Sequence, residues 1–321
     1  MRIGLFTDSL GDLSFEEALD WAVEHGLEAV EIGTGNFSPA PHCDLETLIS
    51  QSQARKAFIL AIESRGLILS ALNCSGNVLD PDPSRRKAAQ DVLSNTLLLA
   101  GEVGVSTVVT MSGCPGDLGG GTYPNWVTCT WQREYVELLE RQWEEVISPF
   151  WRASGEAAAK NGVRFAIEMH PGQVAYNTRS LLRLREIAGP PNLGANLDPS
   201  HFFFQNMDPL AVIGALGPEA IFHVHAKDTR IYSQEMAING SLDTRPMDGS
   251  GVRSWEYVTL GYGHGAGFWR DFVRSLRLAG YDGVLSIEHE DQMMSAKEGI
   301  TKSLTFLAPL ILRTTAVEGS N

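Results

Sequence analysis

Residues 220–228 read AIFHVHAKD, a short apolar strand whose last positions turn polar. Three other segments in the second half of the chain share this layout, because each is an apolar strand that ends in a carboxylate. They are RFAIE at 164–168, LGANLD at 193–198 and GVLSIE at 283–288. Strands of this kind followed by helical stretches indicate βα units, in which functional groups gather at the C-terminal ends of the strands.

The same alternation of strand and helix extends along the first half of the chain. Further strands are predicted at Ile3–Thr7, Ala29–Gly33, Ile68–Asn73 and Thr107–Ser112. The segments with apolar residues at helical spacing include Phe15–His25, Ser84–Val103, Arg133–Asn161 and Thr178–Ala188. Eight strands alternating with helices predict an α/β protein with one domain over residues 1–321, a single (β/α)8 TIM barrel with long active-site loops.

Two long stretches, Ser112–Gln132 and Thr229–Gly267, interrupt this alternation. Both lack a clear helical period and both contain several aromatic residues. Loops of this length in compact domains are commonly functional, and aromatic walls are typical of ligand pockets. We therefore expect both loops to wall the pocket, with Trp126 and Trp131 in contact with substrate.

Composition and charge exclude several classes of protein. A formal net charge of −14 argues against nucleic-acid binding, which depends on clustered Lys and Arg. No apolar run approaches the roughly 20 residues of a membrane span. The N-terminus, MRIGLFTDSL, lacks the layout of a signal peptide. We expect a cytoplasmic protein with a small-molecule substrate and no nucleic-acid or membrane partner, and a homo-oligomer stays open.

The four predicted strand ends carry candidate metal ligands, Glu168, Asp198, His225 and Glu288. Three carboxylates and one imidazole suit Mn²⁺, Mg²⁺, Co²⁺ or Zn²⁺. An ion held with open coordination positions can chelate two adjacent oxygens of a hydroxy-ketone, polarise the carbonyl and acidify the neighbouring C–H. The residues therefore predict one divalent ion, with Mn²⁺ the first expectation, and enolisation chemistry.

The motifs IEMH, NLDPSH, HVHAKD and IEHED, with GYGHG before the last of them, resemble the sugar phosphate isomerase/epimerase group of the xylose-isomerase-like TIM-barrel superfamily. That group includes ketose 3-epimerases, inosose dehydratases and oxo-glycoside deglycosidase relatives. The resemblance implies a carbohydrate substrate, metal binding by the same four residues, an acid and base role for Glu168 and Glu288, and contact between His201 and substrate oxygens. Ketose 3-epimerases place an acidic residue and an arginine where this chain has Lys227 and Ile231.

His170 and Lys227 each lie two positions beyond a candidate ligand, so a continued strand period points them to the same interior face. His170 is a candidate general acid or base, and Lys227 is a candidate substrate-binding residue together with the adjacent Asp228. The alternatives are that His170 only caps its strand and that Lys227 pairs with Asp228 or Glu168.

Four more polar residues lie where they could face the barrel interior or its mouth. We expect His223 to be a hydrogen-bonded core residue and His264 to be a structural loop residue. Glu31 and Asp8 are pocket candidates by strand position alone.

Two enzymatic functions remain open. The first is an epimerase or isomerase of a ketose or oxo-sugar that moves a proton next to a metal-bound carbonyl, through an enediolate. The second is a lyase, dehydratase or deglycosidase that eliminates a β-substituent from a 3-oxo-glycoside or inosose with the same metal site. An apurinic endonuclease is disfavoured, because its additional metal-binding histidines are missing and the chain is acidic. A non-catalytic sugar-binding module is disfavoured by the intact ligand set.

Overall fold

The structure is a computed structural model that describes residues 1–247 and 252–314. Its strands within those residues are β1 (Arg2–Phe6), β2 (Ala29–Gly33), β3 (Ile68–Asn73), β4 (Thr107–Met111), β5 (Arg164–Glu168), β6 (Leu193–Leu197), β7 (Ile221–Ala226), β8 (Asp228–Ile231), β9 (Trp255–Val258) and β10 (Val284–Ile287). Eight of them close into a parallel barrel in the order β1-β10-β7-β6-β5-β4-β3-β2. The remaining two, β8 and β9, form a separate antiparallel sheet.

Helices alternate with the strands and cover the outside of the barrel. They are α1 (Phe15–Glu24), α2 (Leu45–Ser50), α3 (Ser52–Glu63), α4 (Pro83–Val103), α5 (Arg133–Arg141), α6 (Ser148–Lys160), α7 (Thr178–Ala188), α8 (Ser200–Phe203), α9 (Pro209–Leu216), α10 (Ser233–Asn239), α11 (Ala266–Leu278) and α12 (Ala296–Leu307). Short 3₁₀ turns cover Thr7–Leu10 and Ala308–Leu310. Among the described residues, no helix has the length and apolar character that a membrane crossing requires.

The predicted TIM barrel is confirmed, and each of the eight predicted barrel strands has a counterpart. Two regions differ from the prediction. The helix expected over Arg133–Asn161 is divided into α5 and α6 by a π-helical segment, Gln142–Ile147. The connection Thr229–Gly267, in which the sequence shows no clear helical period, contains α10 and β9, and β8 extends into it. Residues 248–251 of this connection and 315–321 of the predicted domain lie outside the described residues.

Packing between the helices and the barrel fixes the strand ends that matter for function. Trp151 of α6 is fully buried, meets Phe165 of β5 edge to face at a centroid separation of 5.5 Å, and donates a hydrogen bond from its indole nitrogen to the Ser112 carbonyl at 3.0 Å. A buried indole N–H requires such a partner, so the bond ties the end of β4 to α6. At Gly155 an added Cβ would overlap the Ala188 carbonyl, so glycine permits the close approach of α6 to the end of α7.

The parallel register brings the C-terminal ends of the strands to one mouth of the barrel. Met111 of β4 is level with Glu168 of β5, and Ser286 of β10 is level with His225 of β7. Residues that are far apart in sequence but end neighbouring strands therefore share one rim, which is where barrels of this type hold functional side chains.

Candidate metal centre

The four predicted ligands converge at this mouth of the barrel. Each of Glu168, Asp198, His225 and Glu288 offers one ligand atom, and these atoms all lie within 4.8 Å of one another. Glu168, Asp198 and His225 are buried, and the Glu288 side chain is only 12% exposed. A group of this kind, with three carboxylates and one imidazole within reach of a single ion, has the donor set that suits Mn²⁺, Mg²⁺, Co²⁺ or Zn²⁺.

Two atoms of this group are buried without a hydrogen-bond partner. They are Oδ2 of Asp198 and Nδ1 of His225. Burial of an unpaired polar atom costs free energy, and such atoms in a native fold call for a bound water or ion. Asp198 Oδ2 lies 3.2 Å from Lys227 Nζ, and His225 Nδ1 lies 3.2 Å from Glu288 Oε2, so both atoms are in ion-pair contacts without an aligned hydrogen bond. A divalent cation among these residues would complete their bonding.

A carboxylate behind the metal centre orients His225. Both oxygens of Glu31, from β2, lie 3.1 Å from Nε2 of His225, and one of them lies 2.8 Å from Nε2 of His223. Asn73 donates a further hydrogen bond to Glu31 at 2.8 Å. Burial alone would raise the pKa of Glu31, but the adjacent His225 and His223 hold that pKa well below its usual range. His223 is thus a hydrogen-bonded interior residue, as expected, and Glu31 supports the metal centre from within the barrel.

Lys227 extends into the same group of carboxylates. Its Nζ lies 2.6 Å from Glu288, 3.2 Å from Asp198 and 3.3 Å from Glu290. Nζ also lies 4.7 Å from the centre of the Tyr257 ring. Burial opposes the charged form, but Asp198 and the two glutamates hold the pKa of Lys227 well above its usual range. The ammonium therefore shares two of the four carboxylates that would hold the ion, and it partly balances their charge.

His201 lies beside the candidate ligands and is itself buried. Its Nε2 is 2.7 Å from Glu168 and 3.2 Å from Asp198, and its Nδ1 is 2.9 Å from the Tyr257 hydroxyl. Burial alone would lower the pKa of His201, but the charge of Asp198 and the hydrogen bonds to Asp198 and Glu168 together raise it to about 9. His201 also lowers the pKa of Glu168 to about 2 against the effect of burial. A proton donor therefore stands next to one of the two candidate catalytic glutamates.

His170 lies at the same mouth but has a different electrostatic environment. Its Nδ1 is 2.5 Å from the Pro171 carbonyl, which can only accept, so Nδ1 carries the proton and Nε2 keeps a lone pair. Burial, with a smaller contribution from the charge of His201, lowers the pKa of His170 to about 4. The ring is consequently neutral near pH 7.

A cavity of about 300 Å³ opens over the metal centre. Among the residues predicted as functional, Glu168, His170, His201, Lys227 and Glu288 line it, and so does Asp8. The other lining residues are Phe6, Ser9, Phe37, Ser38, Asn73, Ser75, Met111, His289 and Glu290. Glu290 could have been inferred from its position two residues after Glu288, which is one strand period, whereas Ser38 and Ser75 lie in loops with no such signal.

The two tryptophans expected in this cavity lie elsewhere. Trp126 lines a second cavity, of about 510 Å³, where it meets Tyr176 edge to face at a centroid separation of 5.1 Å. Trp131 is 83% exposed and lines neither cavity. The prediction that the long loops form the pocket walls is therefore wrong for Ser112–Gln132. The described part of Thr229–Gly267 contributes Tyr257 behind Lys227 and His201, not a lining aromatic wall.

Asp228 does not fit its predicted role as a substrate-binding residue. Its carboxylate is fully buried and accepts hydrogen bonds from the backbone N–H groups of Thr229, Gly261, Gly263 and His264, and from the His264 ring. These bonds satisfy both oxygens and fix the GYGHG turn, since acidic side chains readily organise local backbone in this way. Asp228 and His264 therefore hold the loop that follows β9.

The chain belongs to the xylose isomerase-like TIM barrel family, whose sequence profile matches residues 19–310. A relative in Bacillus subtilis (strain 168), the uncharacterized protein YfiH, is 40% identical over 314 residues, which are 97% of this chain and 99% of that protein. That degree of similarity over nearly the full length of both proteins places the two chains in one close group.

Solved structures of low sequence identity share the fold. The IOLI protein, solved with a zinc atom bound, has a TM-score of 0.66 at 16% identity and covers 97% of this chain and 98% of its own. The probable 3-DHS dehydratase AsbF of Bacillus anthracis has a TM-score of 0.65 at 19% identity, with 96% and 99% covered. L-ribulose 3-epimerase has a TM-score of 0.63 at 15% identity, with 97% and 94% covered. These likenesses show the barrel and leave the reaction to be inferred from the site.

Proposed function

We propose that the protein is a divalent-metal-dependent epimerase or isomerase of a ketose or another oxo-sugar, with Mn²⁺ as the expected ion. The observation that carries this proposal is the convergence of four ligand atoms within 4.8 Å under a small open cavity, with Asp198 Oδ2 and His225 Nδ1 buried and without a hydrogen bond. A bound ion would supply polarisation of the substrate carbonyl and would lower the pKa of the adjacent C–H.

The protein's own residues would carry the proton. Glu168 and Glu288 both line the cavity, and each has a proton-bearing neighbour, His201 at 2.7 Å and Lys227 at 2.6 Å. One glutamate would accept the proton from carbon and the other would return a proton to the carbon that has been deprotonated. The glutamate that accepts the proton would start ionised, and the glutamate that returns a proton would first receive it from its own neighbour, His201 or Lys227. His201 and Lys227 would also donate hydrogen bonds to substrate oxygens.

A second function, elimination of a β-substituent, is favoured by His170. This neutral imidazole lines the cavity with Nδ1 donating to Pro171, so its Nε2 can act as a base beside the metal centre. In that case the protein would be a dehydratase, another carbon–oxygen lyase or a deglycosidase acting on an inosose or a 3-oxo-glycoside. The two proposals share the metal centre and differ in which group takes or delivers the proton.

One screen distinguishes the two functions. Free ketoses, inososes and 3-oxo-glycosides are incubated with Mn²⁺-loaded protein in D₂O and followed by NMR and mass spectrometry. Deuterium incorporation without loss of a group supports epimerisation, and release of water or an aglycone supports elimination. The Asp198→Asn variant is the control. If the loaded protein neither exchanges a proton nor releases a group with any of these substrates, both proposals are wrong.

We also propose that the protein binds a small carbohydrate and has no nucleic-acid or membrane partner. The proposal includes a cytoplasmic location and leaves a homo-oligomer open. A formal net charge of −14 supports the exclusion of nucleic acid.

A further inference from the structure

One side of the cavity is built by residues that take no part in the metal centre. Asp8 and Ser9 follow β1, Phe37 and Ser38 follow β2, and Ser75 follows β3, and all five line the cavity. Oδ1 of Asp8 and Oγ of Ser75 are buried atoms without a hydrogen-bond partner. Two unpaired oxygens on one side of a cavity are suited to receive the polar groups of a ligand.

The position of the Asp8 carboxylate depends on a glycine. An added Cβ at Gly33, the last residue of β2, would overlap both the Ser38 hydroxyl and the Asp8 carboxylate. Glycine at this position therefore allows the two polar side chains to pack directly over the strand end. The Asp8 carboxylate is therefore packed against the barrel rim, on one side of the cavity.

The charges that line the cavity are mostly negative. Asp8, Glu168, Glu288 and Glu290 line it, and within the described part of the chain the only lining Lys or Arg is Lys227. The Lys227 ammonium is already paired with Asp198, Glu288 and Glu290. His201, the other lining residue with a raised pKa, is held by Glu168 and Asp198. Among the described residues, every lining Lys or protonated His is already paired with a carboxylate, so a phosphate or carboxylate group of a ligand would find only the bound ion as a positive partner.

We propose that Asp8, Ser38 and Ser75 form a hydroxyl-binding wall that selects an uncharged polyol and discriminates against phosphorylated or carboxylated sugars. This inference rests on the proposed function and specifies its substrate class. A sugar hydroxyl would donate to the Asp8 carboxylate, and a charge-assisted bond of this type is about twice as strong as one between neutral groups. An anionic substituent at the same place would instead meet a carboxylate of like charge.

The test uses binding of inert polyols and does not depend on turnover. D-glucitol and D-glucitol 6-phosphate are titrated into full-length Mn²⁺-loaded protein, with water-proton relaxation and calorimetry as readouts. The wild-type protein is expected to bind D-glucitol at least about 10-fold more tightly than its phosphate. In Asp8→Asn, D-glucitol binding should weaken about 10-fold and the preference over the phosphate should shrink, because the repulsive charge is gone.

The matched control is Asp12→Asn, since Asp12 is an exposed carboxylate on the same segment, paired with Lys297 outside the cavity. It should bind both probes as the wild-type protein does. Circular dichroism verifies that both variants are folded. The inference is overturned if the phosphate binds as tightly as D-glucitol, if D-glucitol does not bind, or if Asp8→Asn changes neither affinity. Failure of the D₂O screen together with the expected polyol pattern would reject the proposed reaction but keep the hydroxyl-binding wall.

Discussion

Glu31 faces Nε2 of His225 at 3.1 Å through both of its carboxylate oxygens, although the two residues lie on strands β2 and β7. The carboxylate can only accept, so Nε2 of His225 is the protonated nitrogen in the metal-binding form, and Nδ1 is left with the lone pair that an ion requires. A carboxylate behind a metal-binding histidine fixes its tautomer and ring orientation and raises its basicity. Glu31 is therefore a positioning residue for the candidate metal centre.

Replacing this carboxylate should weaken metal binding without unfolding the barrel. In Glu31→Gln the neutral amide can no longer accept from both His223 and His225, so the orientation of His225 is lost. We expect Mn²⁺ affinity to fall about 10- to 100-fold, measured by calorimetry. Glu63→Gln, at an exposed position on α3, is the control and should bind as wild type does. Unchanged affinity in Glu31→Gln would show that the carboxylate does not position the ligand.

Direct ligands should have a larger effect than Glu31. Metal analysis of purified protein is expected to give about one divalent ion per chain. Glu168→Gln or Asp198→Asn should remove it while circular dichroism stays native, because each variant deletes one charged donor from a group of four. If both variants still bind about one ion per chain, Glu168 and Asp198 are not ligands.

The ligand positions could be inferred from sequence because each follows a short apolar strand, and a barrel brings all strand ends to one rim. His170 and Lys227 line the cavity for the same reason, because they continue the strand period. The loops have no such period. Trp126 faces the second cavity, whose wall is set by Gln142, which donates to the carbonyls of Gly116 and Asn125.

Such long-range loop contacts have no periodic pattern in the sequence. The same holds for the hydrogen bonds that the backbone N–H groups of the GYGHG turn donate to Asp228. The pairing of β8 with β9, which brings Tyr257 to His201, was hidden for the same reason. Sequence patterns report which face of a strand is buried, whereas the path of a long loop depends on tertiary contacts.

Lys227 is expected to compete with the metal ion for Asp198 and Glu288. In Lys227→Met the buried carboxylates lose their compensating charge, so the metal-free protein should lose about 3 kcal/mol of unfolding free energy or more. Mn²⁺ should bind several-fold more tightly, because a cation no longer lies beside its ligands. Chemical denaturation in the presence of EDTA measures the loss of stability, and calorimetry measures the Mn²⁺ affinity.

The control is Lys302→Met, which removes the surface ion pair Lys302–Glu298 and should lower the free energy of unfolding by less than about 1 kcal/mol. Weaker Mn²⁺ binding by Lys227→Met would refute competition.

Asp8 should make the stability of the metal-free protein depend on pH. Burial raises the pKa of Asp8 from 3.8 to about 6; the Ser38 hydroxyl opposes the change, and the charges of Glu31 and Glu288 add to it. A folded-state pKa above the unfolded value favours folding at low pH, and that contribution is lost as pH rises through about 6. Asp8→Asn should match wild type near pH 4 and exceed it by about 1 kcal/mol at pH 7.5, a value reduced to allow for partial exposure. Denaturation curves are measured in EDTA at both pH values. Equal stability of Asp8→Asn and wild type at pH 7.5 would disprove this pH dependence.

His170→Ala separates the two proposed reactions on the substrate that the D₂O screen identifies. If Glu168 and Glu288 move the proton, His170 only orients the substrate, and turnover should fall modestly. If elimination occurs, Nε2 of His170 activates or protonates the departing group, and its loss should cost on the order of 10²-fold or more in kcat while Mn²⁺ stays bound. His25→Ala, which alters a histidine that stacks on Trp21 and lines neither described cavity, is the matched control. Full activity of His170→Ala would exclude the elimination mechanism in this form.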